Sequence, residues 1–332
     1  MGIVTQRVTS HLIRELAAEV GFQLAGVATA VAVPDFDRFQ GWVERGLAGE
    51  MRYLSDSRST LRGDVENLLP GVRSVISVGR LYPASAGGGI AGYAAGEDYH
   101  LVIRRDLETL ASALSGYADF AWRACVDTAP LLERSIAREA GLGWIGKNTC
   151  LINQEKGSYF LLGELLTTLE VEADSPLPDR CGTCTRCIDA CPTQAIVPSP
   201  DGGYELDARR CISYFTIELR GPVPEAYRAA IGNNVFGCDI CQDVCPWNRN
   251  AEAGAESVSL DELAGLSAAD FRDRYRKTAV SRAKYGGFLR NVAIAMGNSG
   301  RQEFRDALGR LAESDDPVVA EHARWGLARI TR

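Results

Sequence analysis

The chain has 332 residues, which is long enough for two or three domains with ample hydrophobic cores. Its net charge of −7 argues mildly against a nucleic-acid partner, and no run of eighteen apolar residues predicts a transmembrane helix. The amphipathic N-terminal segment contains acidic residues and does not resemble a secretion signal, so we expect a cytoplasmic protein without membrane contact.

The first half of the chain alternates helical and strand-like patterns. Apolar residues recur at helical spacing in some segments and form short buried runs in others. The predicted helices cover Ser10 to Val20, Pro34 to Leu47, Tyr99 to Leu114 and Pro130 to Gly141, and the predicted strands cover Phe22 to Ala28, Arg73 to Leu81, Phe120 to Val126, Leu151 to Ile152 and Tyr159 to Val171. This alternation indicates an α/β or α+β domain over residues 1–172.

The chain changes character twice beyond this domain. A proline-rich joint at 173–180 leads into a loop-rich region, which we place at residues 173–255. Residues 256–332 are predicted to be helical, with apolar-periodic segments at Phe288 to Met296, Phe304 to Leu311 and Val318 to Ile330. This pattern is typical of a short helical unit of the HEAT type, so the predicted fold class is α+β with a helical C-terminal unit.

Eight of the ten cysteines lie in the loop-rich region and predict two [4Fe-4S] clusters. The run Cys181-x-x-Cys184-x-x-Cys187-x-x-x-Cys191-Pro has the bacterial two-cluster ferredoxin spacing, in which the fourth cysteine binds the other cluster. A zinc ribbon or disulfides would suit this run poorly. The expected ligands of one cluster are Cys181, Cys184, Cys187 and Cys245, and those of the other are Cys191, Cys211, Cys238 and Cys241. Cys125 and Cys150 are interpreted as packing residues.

Two clusters alone would suit a plain electron-transfer protein, but the N-terminal domain should hold a substrate or a second cofactor. No Gly-x-Gly-x-x-Gly follows a predicted strand, so a nicotinamide or flavin site of the Rossmann type is not supported. The run from Gly87 to Gly89 lacks that context and is expected to be a surface loop.

Three N-terminal segments and the cysteine runs together resemble the epoxyqueuosine reductase family over nearly the whole chain. These segments are Tyr93 to His100 (YAAGEDYH), Val126 to Arg134 (VDTAPLLER) and Gly141 to Asn148 (GLGWIGKN). The resemblance implies an N-terminal α/β domain that binds a corrinoid as in reductive dehalogenases, a two-cluster ferredoxin-like domain and a HEAT-like unit. It also implies that cobalamin, as cob(II)alamin, and two [4Fe-4S] clusters reduce epoxyqueuosine at the wobble position of tRNA to queuosine.

The resemblance also implies particular site residues. Asp127 is expected to donate a proton to the departing oxygen, although it could simply cap the helix predicted at Pro130. As a proton donor its pKa would have to rise, by burial against the corrin. The implied corrin contacts are Arg62, Asp127, Ile152, Leu162, Ser213 and Asp239. His100 could bind cobalt or be a hydrogen-bonded structural residue. Because Ser213 and Asp239 flank Cys211, Cys238 and Cys241, that cluster should be the one nearer the corrin.

A basic segment stands out in this acidic chain. Residues 271–290 contain seven basic side chains and one acidic one. The predicted tRNA contacts are Arg282, Lys284 and Arg290, with Lys147 at the mouth of the site, although a solvated basic helix face remains the alternative. The other expected partner is an external electron donor, and nothing requires more than a monomer. The alternative functions are a corrinoid reductive dehalogenase for small organohalides and a plain electron-transfer protein.

Overall fold

The computed structural model describes residues 7–30, 33–85, 89–254 and 259–330. Its N-terminal domain contains, in chain order, α1 (Ser10–Val20), β1 (Leu24–Thr29), α2 (Phe36–Glu44), β2 (Ser74–Leu81), α3 (Tyr99–Leu114), β3 (Trp122–Cys125), α4 (Glu133–Glu139), β4 (Trp144–Ile145), β5 (Leu151–Ile152) and β6 (Phe160–Thr167). The predicted helices and strands are present, with their ends shifted by a few residues. The expected loop at Gly87 to Gly89 lies largely outside the described residues.

Strands β1, β2, β6 and β3 form one sheet in that order, and each neighbouring pair is antiparallel. Alternate residues of β2 enter different cores, because successive side chains point to opposite faces. Ile76 and Val78 pack with α1 and α3, whereas Val75 packs with α4. Helices therefore cover both faces of an antiparallel sheet. Of the two options that the sequence left open for this domain, the structure shows α+β.

Local sequence signals explain where the helices that carry the site begin. Helix α3 follows Asp98, whose carboxylate accepts the backbone N–H of His100 at 3.1 Å and caps the first turn. Helix α4 begins at Glu133, and Leu132 occupies its N-cap position. Pro130 is thus not the first helical residue, because the preceding loop still turns there, with Leu131 N–H donating to the Ala129 carbonyl.

The cysteine region is mostly loop, as predicted. Its short elements are α5 (Arg186–Asp189), β7 (Ile196–Pro198), β8 (Tyr204–Leu206), α6 (Glu225–Arg228) and α7 (Ile240–Asp243). A small core around Phe215 and Ile231 includes Ile294 from the C-terminal unit. The region therefore depends for its core on the neighbouring helices as well as on its own residues.

The C-terminal unit is helical. It comprises α8 (Leu260–Ala264), α9 (Ala268–Tyr275), α10 (Lys284–Ser299), α11 (Arg305–Ala312) and α12 (Pro317–Ile330), of which the last three match the predicted segments. Its core also includes Ala94, Val235 and Phe236 from the two preceding regions. The C-terminal helices therefore pack directly on the loops that form the site. Among the described helices, none combines the length and apolar character needed to cross a membrane.

Candidate active site

Asp127 lies at the centre of a polar cluster drawn from three distant parts of the chain. Its carboxylate accepts the Tyr99 hydroxyl at 2.8 Å, lies 2.9 Å from His100 Nε2 and lies 3.5 Å from Arg282 Nη1. The Asp127 side chain is 48% exposed, so it remains accessible from outside. It does not cap a helix, so the capping alternative for Asp127 is wrong.

The backbone at Asp127 adopts φ +44°, a left-handed conformation that non-glycine residues seldom take. Its N–H donates to the Glu133 carboxylate, which fixes this turn. Glu133 lies beside Glu164, a fully buried residue of β6 whose carboxyl oxygens accept no hydrogen bond from the described residues. Burial, with the charge of Asp127, raises the pKa of Glu133 to about 8, and burial next to Glu133 raises the pKa of Glu164 well above its usual value.

The pKa of Asp127 is lowered in the protein itself. Desolvation raises it, but the hydrogen bonds from His100 and Tyr99 and the charge of Arg282 outweigh that effect. The raised pKa that we expected for a proton donor is therefore reached only if the Asp127 carboxylate becomes more deeply buried. A bound group that covers Asp127 would have to provide that burial.

His100 is engaged at both ring nitrogens. Nδ1 lies 2.8 Å from Asp98 Oδ1, and Nε2 contacts Asp127. These contacts support the structural interpretation of His100 over a cobalt ligand. The other histidines offer no ligand here either, since His11 pairs with Glu15 and His322 is buried against Val223 and Val318.

Aromatic residues surround this cluster, and sequence reasoning did not single them out. Tyr99 lies under Arg282, whose guanidinium carbon is 5.0 Å from the ring centroid, and Tyr93 packs edge-on against Tyr99 at 5.9 Å. Burial raises the pKa of both tyrosines, so they stay protonated donors. The Asp-Tyr-His triplet was part of the family resemblance, but it identified only His100 as a candidate.

The four predicted tRNA contacts lie in different surroundings. Arg282 belongs to the Asp127 cluster, and Lys284, two residues further along the chain, is exposed. Arg290 is only 1% exposed, and its guanidinium donates to the carbonyls of Leu219, Gly221 and Phe215. The prediction that Arg290 contacts tRNA is therefore wrong, because this residue joins the C-terminal unit to the cysteine region from within.

Lys147 lies away from the Asp127 cluster. Its ammonium donates to the carbonyls of Gly182 and Cys184, at 2.7 and 3.0 Å. It therefore borders the first cysteine run. The expectation that Lys147 lies at the mouth of the site does not match this position.

The predicted corrin contacts lie in different parts of the structure. Asp239 is buried, accepts the N–H of Gly92 at 2.8 Å, and has its pKa raised to about 6 by burial. Arg62 is buried, with its guanidinium over the Phe39 ring. Ser213 follows Cys211, and Leu162 lies on β6 opposite Gly79. Ile152 is buried beside the first cysteine run.

The eight cysteines gather in two groups that match the predicted sharing. Cys181, Cys184, Cys187 and Cys245 line one cavity of about 210 Å³. Cys191, Cys211, Cys238 and Cys241 lie within electrostatic range of one another. We call these groups the outer set and the inner set. No three metal-binding side chains among the described residues converge on a single ion, but a cubane differs because each thiolate binds its own iron.

The two remaining cysteines differ from each other. Cys125 is buried in the N-terminal core, as expected for a packing residue. Cys150 instead lies against Cys241 of the inner set. Sequence spacing gave no sign of this contact, because it joins the N-terminal domain to the cysteine region.

Comparisons with known proteins decide the family. Residues 180–248 match the model of a 4Fe-4S double cluster binding domain, and residues 62–128 match the model "Epoxyqueuosine reductase QueG, DUF1730". A curated epoxyqueuosine reductase from Xanthomonas campestris is 39% identical, over 96% of this chain and 95% of that protein. The chain belongs to the epoxyqueuosine reductase family. It is therefore an oxidoreductase with two [4Fe-4S] clusters.

Solved structures of the epoxyqueuosine reductase family share the fold. One, in complex with a tRNA-Tyr stem loop modified with epoxyqueuosine, has a TM-score of 0.86 and 30% identity, covering 97% of this chain and 90% of that one. Another, from Bacillus subtilis, has its catalytic aspartate loop swung out of the active site, with a TM-score of 0.85 and 28% identity, covering 96% of this chain and 90% of that one. These matches confirm the α+β fold class.

Proposed function

We propose that this chain reduces epoxyqueuosine at the wobble position of tRNA to queuosine, the last step of queuosine biosynthesis. The observation that carries the proposal is the cluster around Asp127, an accessible carboxylate among protonated donors that lies near the inner set of cysteines. A relative binds an epoxyqueuosine-modified stem loop, and another has a catalytic aspartate loop. Because tRNA is the proposed substrate, we expect the enzyme in the cytoplasm.

The reaction sets three demands on the protein. Converting an epoxide to an alkene and water consumes two electrons and two protons. The protein must deliver single electrons, hold the modified base near the reacting centre and protonate the departing oxygen. The two clusters answer the first demand, since each carries one electron at a time.

Cobalamin would supply, when bound, a cobalt centre that accepts single electrons and acts as a strong reductant. The side chains predicted to contact the corrin fit such a group in their chemistry. The ring of cobalamin bears amide arms that donate and accept hydrogen bonds, and Arg62, Ser213 and Asp239 offer partners of both kinds. We propose that these three residues hold the ring together with Asp127, Ile152 and Leu162.

Asp127 is proposed to protonate the departing oxygen. His100 Nε2 lies within hydrogen-bond distance of its carboxylate and can return a proton to it, while the Tyr99 hydroxyl donates a hydrogen bond that holds the carboxylate in place. When ring and substrate cover the site, the half-exposed carboxylate loses its remaining water, which favours its protonated form. Asp127 would then hold its proton until the epoxide opens.

The inner set is proposed to hand electrons to this site. Asp239 lies between Cys238 and Cys241 in the chain, and it accepts the N–H of Gly92 directly before Tyr93. Tyr93 in turn packs against Tyr99 of the Asp127 cluster. The outer set would receive electrons from an external donor.

The tRNA is proposed to approach over Lys284 and Arg282. Lys284 is exposed, so its ammonium can contact a phosphate. Arg282 lies deeper, where it can bind either a phosphate or the modified base. The base would have to leave the stack of the anticodon loop to reach Asp127.

Anaerobic turnover tests the proposal. The protein, reconstituted with iron, sulfide and cobalamin, would be reduced and given tRNA that carries epoxyqueuosine, and the product would be analysed as nucleosides. We expect queuosine to form only when cobalamin is present. Unchanged epoxyqueuosine in the complete mixture, with both clusters shown to be reduced, would refute the proposed function.

A further inference from the structure

The cavity of the outer set has a rim of unpaired positive charge. All the charged residues that line it are basic, namely Lys147, Arg180, Arg186 and Arg249. The three arginines are exposed, and none forms an ion pair with a described residue. Exposed arginines elsewhere in the chain are often paired, for example Arg58 with Asp56 and Arg73 with Glu170. In a chain of net charge −7, this rim is a local exception.

The acidic residues around the rim have partners of their own. Asp179 accepts the N–H of Cys181, Asp189 accepts the Thr185 hydroxyl, and Asp243 accepts the Tyr159 hydroxyl. Asp189 and Asp243 lie on the adjoining surface depression, which also contains Arg186 and Arg249. Their hydrogen bonds direct them to local groups, so the guanidinium groups stay free to meet an incoming surface.

We propose that Arg180, Arg186 and Arg249 form a docking site for an acidic protein that carries single electrons. The proposal rests on the proposed function only in requiring an external donor for the outer cluster. A negative surface would be steered to this rim, which would bring its redox centre close to Cys181, Cys184 and Cys187. In the step itself, the donor loses one electron and the outer cluster gains it, and no bond is made or broken.

Two other roles for the rim predict different experimental results. A cubane with four thiolates carries net negative charge, and the arginines could merely offset it, in which case their removal would change the midpoint potential of the cluster. The rim could instead bind RNA phosphates, but the basic residue at Asp127 is Arg282, which is not part of the rim. Docking alone predicts an effect that is confined to protein donors.

The test measures reduction of the outer cluster in stopped flow, with neither cobalamin nor tRNA present. The variant Arg180→Glu/Arg186→Glu/Arg249→Glu would be compared with the wild type and with Arg104→Glu/Arg305→Glu/Arg310→Glu, which changes the net charge equally at exposed arginines on α3 and α11. The donor is a reduced flavodoxin, an acidic flavoprotein. Photoreduced deazariboflavin, a small neutral reductant, reports on the cluster itself.

In the rim variant, we expect the bimolecular rate constant for reduction by flavodoxin at low salt to fall about tenfold or more. Most of the salt dependence of this rate constant should also disappear. The control variant should stay close to the wild type. Reduction by deazariboflavin, the iron content and the midpoint potential should not change.

An unchanged flavodoxin rate would overturn the docking site. A lower reduction rate with both reductants, or a shifted midpoint potential, would mean that the arginines only adjust the potential of the outer cluster. A loss of affinity for a tRNA stem loop with normal flavodoxin kinetics would assign the rim to RNA instead. The assay contains no tRNA. Its result would therefore still decide on the docking site if the proposed epoxide reduction proved wrong.

Discussion

The outer and inner cysteine sets would hold the same kind of cluster, but their surroundings differ. The outer set lines a cavity whose charged residues are all basic. In the inner set, Cys211 and Cys238 pack against a hydrophobic core, and the buried carboxyl of Asp239 follows Cys238 in the chain. Cys150 adds a further thiol against Cys241. The outer set thus has a basic rim that can attract an acidic partner, whereas the inner set is enclosed next to the Asp127 cluster.

This difference gives the electron path a direction. The exposed basic rim lets an acidic protein donor approach the outer set, whereas the inner set lies against a hydrophobic core. The outer cluster is therefore suited to accept electrons and the inner cluster to pass them on.

Removal of one cysteine from each set should separate the two roles. We expect Cys238→Ser to abolish turnover with every reductant, because the path to the Asp127 site then ends. Cys187→Ser should abolish turnover with flavodoxin but keep part of it with deazariboflavin, because a small reductant can reach the inner cluster. Queuosine formation is the measurement, and iron content confirms that each variant keeps its other cluster. Equal losses with deazariboflavin would contradict the direction of the path.

Asp127→Asn should lose about 10²- to 10⁴-fold in turnover, because an amide cannot donate the proton that the departing oxygen needs. Cobalamin absorption and cluster content should match those of the wild type, since the variant keeps its size and shape. Single-turnover kinetics of queuosine formation would show the loss. A variant of near-normal rate would remove Asp127 from the chemistry.

Arg282 and Lys284 are expected to act differently although they are neighbours. Arg282→Gln removes a positive charge 3.5 Å from the Asp127 carboxylate, so the pKa of Asp127 should rise. Since a proton donor acts in its protonated form, activity should then persist to higher pH, with turnover lowered about tenfold by the lost contacts with Tyr99 and His100. Lys284→Gln should leave the pH profile unchanged.

The matched variant also tests the tRNA approach. Lys284→Gln should weaken stem-loop binding and reduce the slope of log affinity against log salt by about 1, as loss of one phosphate contact requires. An unchanged salt slope would exclude Lys284 from the interface. A shifted pH profile in both variants would show that the effect at Arg282 is not specific to Asp127.

The smallest expected effect concerns the buried pair of carboxyls behind Asp127. Their raised pKa values mean that stability is full below about pH 4, the range of a free glutamate, and declines as pH rises through about 8 for Glu133. Glu164→Gln removes one carboxylate, so it should raise the free energy of unfolding at pH 8 by about 1–3 kcal/mol and flatten this decline. Chemical denaturation across pH measures it, with the exposed Glu172→Gln as an inert control.

The sequence was informative wherever local spacing decides the structure. Cysteine spacing predicted two groups that the structure brings together, and periodicity predicted α3 with its full extent. The Asp127 cluster could be predicted only in part, because Tyr99, Asp127 and Arg282 converge through packing between domains. Arg290 shows the limit most clearly: its charge suggested a surface role, but its guanidinium satisfies buried carbonyls. Charge alone does not show whether a side chain on a helix points to solvent or into the protein interior.

We propose that electrons enter at the outer set, pass through the inner set and reduce an epoxide beside Asp127. The most direct measurement is a single turnover in which protein with cobalamin and both clusters reduced is mixed with epoxyqueuosine-modified tRNA, while spin resonance follows the clusters and nucleoside analysis follows the product. We predict that cluster oxidation and queuosine formation proceed together, with about one queuosine for two electrons lost. Clusters that stay reduced while queuosine forms, or that oxidise without product, would contradict this electron path.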